Sequence, residues 1–240
     1  MLVNWWMSHS PRPGPAEPPG AGTRPVSGSA GPGPVSCTRT TIRGRPESVD
    51  NGIVFCRYEV LAMCQELPGC LGLSMIVDRE SGRSITTTGW DSIESMKASA
   101  TVMRPVRDGA AETLGGTPEV AEWEIAVMHR DHRSPGAACA RVTWLRGEPT
   151  AIDRAAAVFK LALMPEIETF DGFCGVSFLI NRETGLAVTS VAFDSRAALE
   201  GTRERASGLR ARGSAEARLE IMEVADFELA LAHLDVPEMV

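Results

Sequence analysis

In the run 71–78, Leu71, Leu73, Met75 and Val77 take every second position, the period of a strand with one buried face. The run 174–181 repeats that pattern position for position. Both lead into Arg-Glu-x-Gly, at Arg79-Glu80-Ser81-Gly82 and Arg182-Glu183-Thr184-Gly185. This is a hairpin turn whose glycine takes positive φ at least cost. Returning strands are expected at 84–90 and 186–193. Upstream of each hairpin, helix-start signals predict helices over about 47–67 and 150–169. Each opens on a glycine turn, a proline suited to the first helical position (Pro46, Pro149), and an acid that complements the helix dipole (Asp50, Asp153). Pro165 is expected to kink or shorten the second helix. Asp91-Ser92 and Asp194-Ser195 are helix-start signals for further helices over 92–111 and 195–212. A β-branched run at 37–42 predicts the first strand.

The final strands make the repetition explicit. Glu119-Val120-Ala121-Glu122-Trp123-Glu124-Ile125-Ala126-Val127-Met128-His129 returns as Glu223-Val224-Ala225-Asp226-Phe227-Glu228-Leu229-Ala230-Leu231-Ala232-His233. A shift of 103 residues carries Gly82 onto Gly185, and one of 104 carries His129 onto His233, so one residue is gained in between. Matched order, turns and spacing indicate an internal duplication. The fold class is α+β, with two tandem ferredoxin-like β-α-β-β-α-β modules, each a four-stranded antiparallel sheet with its helices on one face. The uncovered faces need partners, and the two sheets facing one another form a pseudo-dimeric α/β barrel. The division is 1–36, a leader; 37–130, module one; 131–138, a linker; and 139–240, module two.

Composition narrows the chemistry. Half of the 16 prolines fall in the leader, which cannot bury enough apolar surface to offset its ordering entropy and is expected to be disordered. A net charge of −7 gives no electrostatic basis for a nucleic-acid partner. Cys37, Cys56, Cys64, Cys70, Cys139 and Cys174 show no C-x-x-C spacing and read as reduced, mostly buried thiols of a cytoplasmic protein. No run is long enough to span a membrane, and the opening residues lack a basic n-region. P-loop, dinucleotide-binding and nucleophile-elbow motifs are absent.

Gly69-Cys70-Leu71-Gly72 after a long helix, the Arg-Glu-Ser-Gly hairpin, and Gly89-Trp90-Asp91-Ser92 opening the second helix resemble the antibiotic biosynthesis monooxygenase domains of the dimeric α/β-barrel superfamily. The resemblance covers about 38–130 and 140–234. The tandem arrangement is similar to paired actinobacterial conserved proteins. It implies a barrel that binds a small hydrophobic or aromatic molecule, as a cofactor-independent monooxygenase or as a non-catalytic binding or assembly protein with a degenerate pocket. It implies a monomer with an internal pseudo-two-fold axis, or a homodimer. The haem-degrading branch uses an Asn on the first strand and a Trp and a His on or after the second helix. By spacing these last two fall near Ser99 and Gly109; the strand 38–42 has no Asn, and 196–212 holds neither Trp nor His. No cofactor is therefore expected, and haem is set aside.

Candidate site residues follow from the repeats. His129 and His233 occupy equivalent strand ends and suit acid–base work near neutral pH; the alternative is a structural strand end. On strict alternation His129 shares a face with Trp123, Ile125 and Val127. Glu124 and Glu228 then project the other way, where they line the barrel interior with Ser74, Ser177, Thr86 and Thr88 as confined bases, or else lie on a solvated face or form ion pairs with Arg39 or Arg141. Trp90 and Trp144 are candidates to pack against a substrate ring, the alternative being core packing. Trp144 has no aromatic counterpart in module one, where Thr41 stands. His129 and His132 lack a third ligand in sequence, so no metal is expected.

Overall fold

β-Branched Thr38, Thr40, Thr41 and Ile42 favour extended backbone, and they form β1 (Ser36–Arg43). The structure is a computed structural model, and it describes residues 34–239; most of the leader lies outside the described residues. A 3₁₀ turn (Pro46–Ser48) leads into α1 (Val49–Phe55), a π-helical segment (Cys56–Val60) and α2 (Leu61–Glu66). β2 (Cys70–Asp78), β3 (Arg83–Trp90), α3 (Ile93–Leu114) and β4 (Pro118–Arg130) complete the first half. The second half repeats it. β5 (Cys139–Arg146) is followed by the 3₁₀ turn Pro149–Ala151, α4 (Ile152–Val158), a π-helical segment (Phe159–Leu163) and α5 (Met164–Ile167). β6 (Phe173–Asn181), β7 (Leu186–Phe193), α6 (Arg196–Gly201), α7 (Arg203–Ala217) and β8 (Glu220–Leu234) follow. Pro165 sits in the opening turn of α5, where proline is tolerated. It does not cause the π segment before it, because the first half has the same segment and no proline there.

The eight strands close in the order β1-β3-β2-β8-β5-β7-β6-β4, every pairing antiparallel. Within each half the sheet is local; β2 with β8 and β4 with β6 join the halves. One chain thus satisfies all its strand edges. At the hairpins Gly82 and Gly185 take φ of 73° and 71°, where an L side chain is strained. Ser92 and Ser195 cap α3 and α6, each accepting an amide N–H at 3.2 Å from Ser95 and Ala198.

Closure divides the apolar residues into cores on two sides of one sheet. Leu73, Met75, Val77 and Trp90 meet Val49, Cys56, Val60, Met96 and Met103 on the helix side of the first half. Val176, Phe178, Ile180 and Phe193 meet Ile152, Phe159 and Leu209 in the second. Ile76, Ile85, Trp123, Ile125, Val142, Leu179, Val188 and Phe227 fill the barrel. A bulge between Cys70 and Leu73, with Gly72 at φ 93°, turns Leu71 to the barrel side instead of the helix side that strict alternation assigns it.

Candidate functional site

The repeats place equivalent hydroxyls in register across both halves. In the first, Thr87 stands opposite both Arg39 and Ser74, and Ser74 opposite Ala232. In the second, Ser190 stands opposite both Val142 and Ser177, and Ser177 opposite Met128. Strand alternation turns these rows inward, where they border a cavity of about 670 Å³. Ile76, Ile125, Met128, Leu179 and Leu229 supply its apolar wall; Ser74, Thr87, Ser177 and Ser190 supply hydroxyls. That volume falls in the range of small-molecule sites, and so does the mixture of apolar wall and few polar groups. Beyond Arg39 the other half of the barrel is packed: Trp144 meets Phe227 edge-on at 6.2 Å between ring centroids, and the Arg83 guanidinium lies 4.4 Å from the Trp144 ring.

Arg39 was named in the sequence only as an ion-pair partner, yet it is the distinctive residue of this cavity. Its side chain is 5 % exposed, and it borders the cavity. Arg39, Arg83 and Arg141 are the buried arginines among the described residues. Arg141 is held bidentately by Asp226 at 2.7 and 2.9 Å, and Arg83 pairs with Glu223. Arg39 has no carboxylate within ion-pairing distance among the described residues, and its Nη1 has no hydrogen-bond partner. Burial pulls its pKa down to about 10, with a contribution from the Arg83 charge, so it remains a cation at neutral pH. The signal was present in the repeat: a shift of 103 residues sets Arg39 against Val142.

The other candidates scatter. Ser74 and Ser177 border the cavity. Thr86 and Thr88 face the helices: Thr86 Oγ1 lies 3.8 Å from Cys56 Sγ, and Thr88 hydrogen-bonds Cys64. Trp90, fully buried, belongs to the helix-side core. Trp144 does face the barrel, in its packed half rather than against the open cavity. Placing Glu124 and Glu228 inside the barrel is corrected, because Trp123, Ile125, Phe227 and Leu229 take the interior and the glutamates point outward. Nor are their partners Arg39 and Arg141. Arg182 donates to Glu124 at 2.8 and 2.9 Å and also pairs with Asp153. Arg79 donates to Glu228 at 2.7 and 3.2 Å and to Asp50 at 2.7 Å. Each triad ties the last strand of one half to the hairpin and helix of the other.

A bulge between Ile125 and Val127 reverses the alternation of β4. Val127 therefore joins the helix-side core while Met128 returns to the barrel, and His129 does not share a face with Trp123 and Ile125. The imidazole stacks on Phe173 at 6.1 Å, with Nδ1 3.1 Å from Glu238 and Nε2 3.4 Å from Glu168. It borders the cavity mouth and holds the C-terminal tail there. Arg130 assists, donating to the carbonyls of Val236 and Leu234 at 2.8 and 2.7 Å. The matching bulge in β8 leaves His233 exposed. Among the described residues no three His, Cys, Asp or Glu side chains converge as a metal site requires, and no helix is long and apolar enough to cross a membrane.

No family profile matches the chain. It is 46% identical over 201 residues to the uncharacterized protein Rv2557 of Mycobacterium tuberculosis, covering 84% of this chain and 90% of that one. It is 45% identical over 202 residues to Rv2558 of the same organism, covering 84% and 86%. Among solved structures, a candidate monooxygenase of Fusobacterium nucleatum superposes with a TM-score of 0.61 at 11% identity, covering 86% of this chain and 94% of that one. An anthrone oxidase-like protein gives 0.59 at 16% identity, covering 82% and 91%. These likenesses establish the fold.

Setting cofactors aside, haem included, is corrected by the same comparison. Matching structures include a candidate chlorite dismutase, TM-score 0.52 at 9% identity over 82% and 95% of the two chains. Missing Asn, Trp and His positions are thus no ground for exclusion. The cavity offers such a group its volume and Arg39, a cation with no carboxylate partner among the described residues. Arg39 would hold a carboxylate of a tetrapyrrole, and the iron would supply oxygen chemistry.

Proposed function

The chain belongs to the family of the mycobacterial proteins Rv2557 and Rv2558, with the α/β-barrel fold of the antibiotic biosynthesis monooxygenases, and on that premise we propose that its barrel binds a small, largely apolar aromatic molecule and directs its oxidation by oxygen. The observation that carries the reading is the 670 Å³ cavity inside the closed barrel. Ile76, Ile125, Leu179 and Leu229 exclude water from the body of the ligand. The hydroxyls of Ser74, Thr87, Ser177 and Ser190 hydrogen-bond its oxygen substituents. Because one chain closes the barrel, the site is complete in a monomer.

Anthrone is the probe substrate, taken from the name of the anthrone oxidase-like neighbour. One anthrone and one O₂ give one anthraquinone and one water. Oxygen uptake and anthraquinone formation are expected to rise above the uncatalysed rate with the full chain, and to fall back with Ser177→Phe, which fills the cavity. A second reading is a non-catalytic binding protein. It is favoured by the placement of Glu124 and Glu228 outside the barrel, where they cannot serve as bases within it. Native mass spectrometry separates the two. Added ligand held one per chain without oxygen uptake supports the binding protein; absence of any held molecule sinks both.

A further inference from the structure

We propose that Arg39 is the anion-recognition residue of this cavity and that the ligand is a carboxylate carried on an apolar body. The inference rests on reading the cavity as a small-molecule site and names the class of molecule it takes. Burying a cation is costly unless it is paired. The chain meets that requirement for Arg83 with Glu223 and for Arg141 with Asp226. It leaves Arg39 without a carboxylate among the described residues, facing a space large enough for a ligand. The aromatic face of Trp144, 5.9 Å from the guanidinium carbon, supplies a weaker counterpart. Bound ligand carboxylate would complete the pair, in the fork geometry that guanidinium favours.

Two further observations narrow the class. The duplication would make the interior two-fold symmetric, and Arg39 against Val142 breaks that symmetry, so the ligand enters with its charged end toward the first half. The remaining polar neighbours, Thr87 and Ser74, are neutral hydroxyls. Arg39 is the one buried arginine on the cavity wall, since Arg130 and Arg133, which also line it with Asp235, are not buried, so at the buried end one cation balances one negative charge. A phosphate dianion would retain uncompensated charge in an apolar enclosure.

The test is calorimetric titration of the full chain with 2-naphthoate, its neutral isostere 2-naphthamide, and 2-naphthyl phosphate. The acid is expected to bind at least about tenfold more tightly than the amide, the value of one charge-assisted hydrogen bond, and more tightly than the phosphate ester. Arg39→Met is expected to erase the preference for acid over amide, and Arg39→Lys to restore part of it. Equal affinities for acid and amide in the unaltered chain overturn the inference even if the variants do not fold. So does tightest binding of the phosphate ester, or acid affinity that survives Arg39→Met. If neither acid nor amide binds, the cavity is not a small-molecule site and the inference falls with it. Haemin, followed by its Soret band, distinguishes the source of the carboxylate. Binding that disappears in Arg39→Met points to a tetrapyrrole carboxylate; naphthoate binding without haemin binding points to a smaller acid. Haemin bound regardless of Arg39 counts against the inference.

Discussion

Replacing Arg39 by Met is expected to make the ligand-free protein more stable. Arg39 is 5 % exposed, has no carboxylate partner among the described residues, and has its pKa pulled from 12.5 to about 10, chiefly by burial. At about 1.4 kcal/mol per decade, that difference corresponds to about 3 kcal/mol of desolvation carried by the folded chain. The stacking of Arg39 over Trp144, 5.9 Å from the ring centroid, returns about 1 kcal/mol. Methionine keeps much of the stem's volume and removes the charge, so about 1–2 kcal/mol of net stabilisation remains, as in other replacements of buried charge by apolar groups. For a domain of this size, 1 kcal/mol moves Tm by about 2–4 °C, which sets the expected rise at roughly 4 °C. Far-UV circular dichroism on heating, and urea unfolding at pH 7, read it directly; the urea midpoint should rise with m unchanged. A variant melting several degrees lower with the same m would refute the reasoning, because it would mean that the guanidinium holds the fold together. Gain of stability together with loss of 2-naphthoate binding is the signature of a residue kept for a ligand.

Three further substitutions or labels test the placement of other residues. Gly185→Ala should cost at least about 1 kcal/mol, because φ is 71° and a Cβ there would overlap the Gly147 carbonyl oxygen, whereas Gly136→Ala, with nothing within 4 Å, should stay within about 0.5 kcal/mol; equal urea midpoints would contradict this. Iodoacetamide near neutral pH should label Cys70 first, since a hydrogen bond from Cys64 lowers its pKa to about 7, and Cys37 and Cys64 among the last, since burial raises Cys37 to about 12 and the hydrogen bond to the Cys70 thiolate, with burial, raises Cys64 further. Peptide mapping by mass spectrometry gives the order, and early modification of Cys37 would count against it. Trp90→Phe should lower stability by about 1–2 kcal/mol while leaving 2-naphthoate affinity unchanged, because Trp90 packs under the helices; weakened binding in the folded variant would return it to the ligand site.

Hairpins at Gly82 and Gly185, caps at Ser92 and Ser195, and the recurrence of the 119–129 strand were legible in the chain because each depends on a few neighbouring residues. Local φ preference, a cap within one turn and a period of two need nothing distant. Duplication made them legible twice and led directly to the barrel. The inward placement of Ser74 and Ser177 was legible as well, because β2 and β6 hold a regular alternation through those positions. The errors begin where that regularity breaks. A bulge in β4, visible only as a slip against the neighbouring strand, sends His129 away from the face that counting assigns it, and a matching slip in β8 leaves His233 exposed. For Glu124 and Glu228 the alternation was right and the inside was wrong. Which side of a strand is interior is settled by closure, when Trp123 and Phe227 join the same barrel core and long-range ion pairs to Arg182 and Arg79 hold the glutamates outside. Arg39 shows the same limit most sharply. An arginine within a strand has no intrinsic address; the barrel's closure buries it and leaves it, among the described residues, without a carboxylate beside the 670 Å³ cavity. Burial and pairing are sums over residues far apart in sequence, so they exist only in the folded chain.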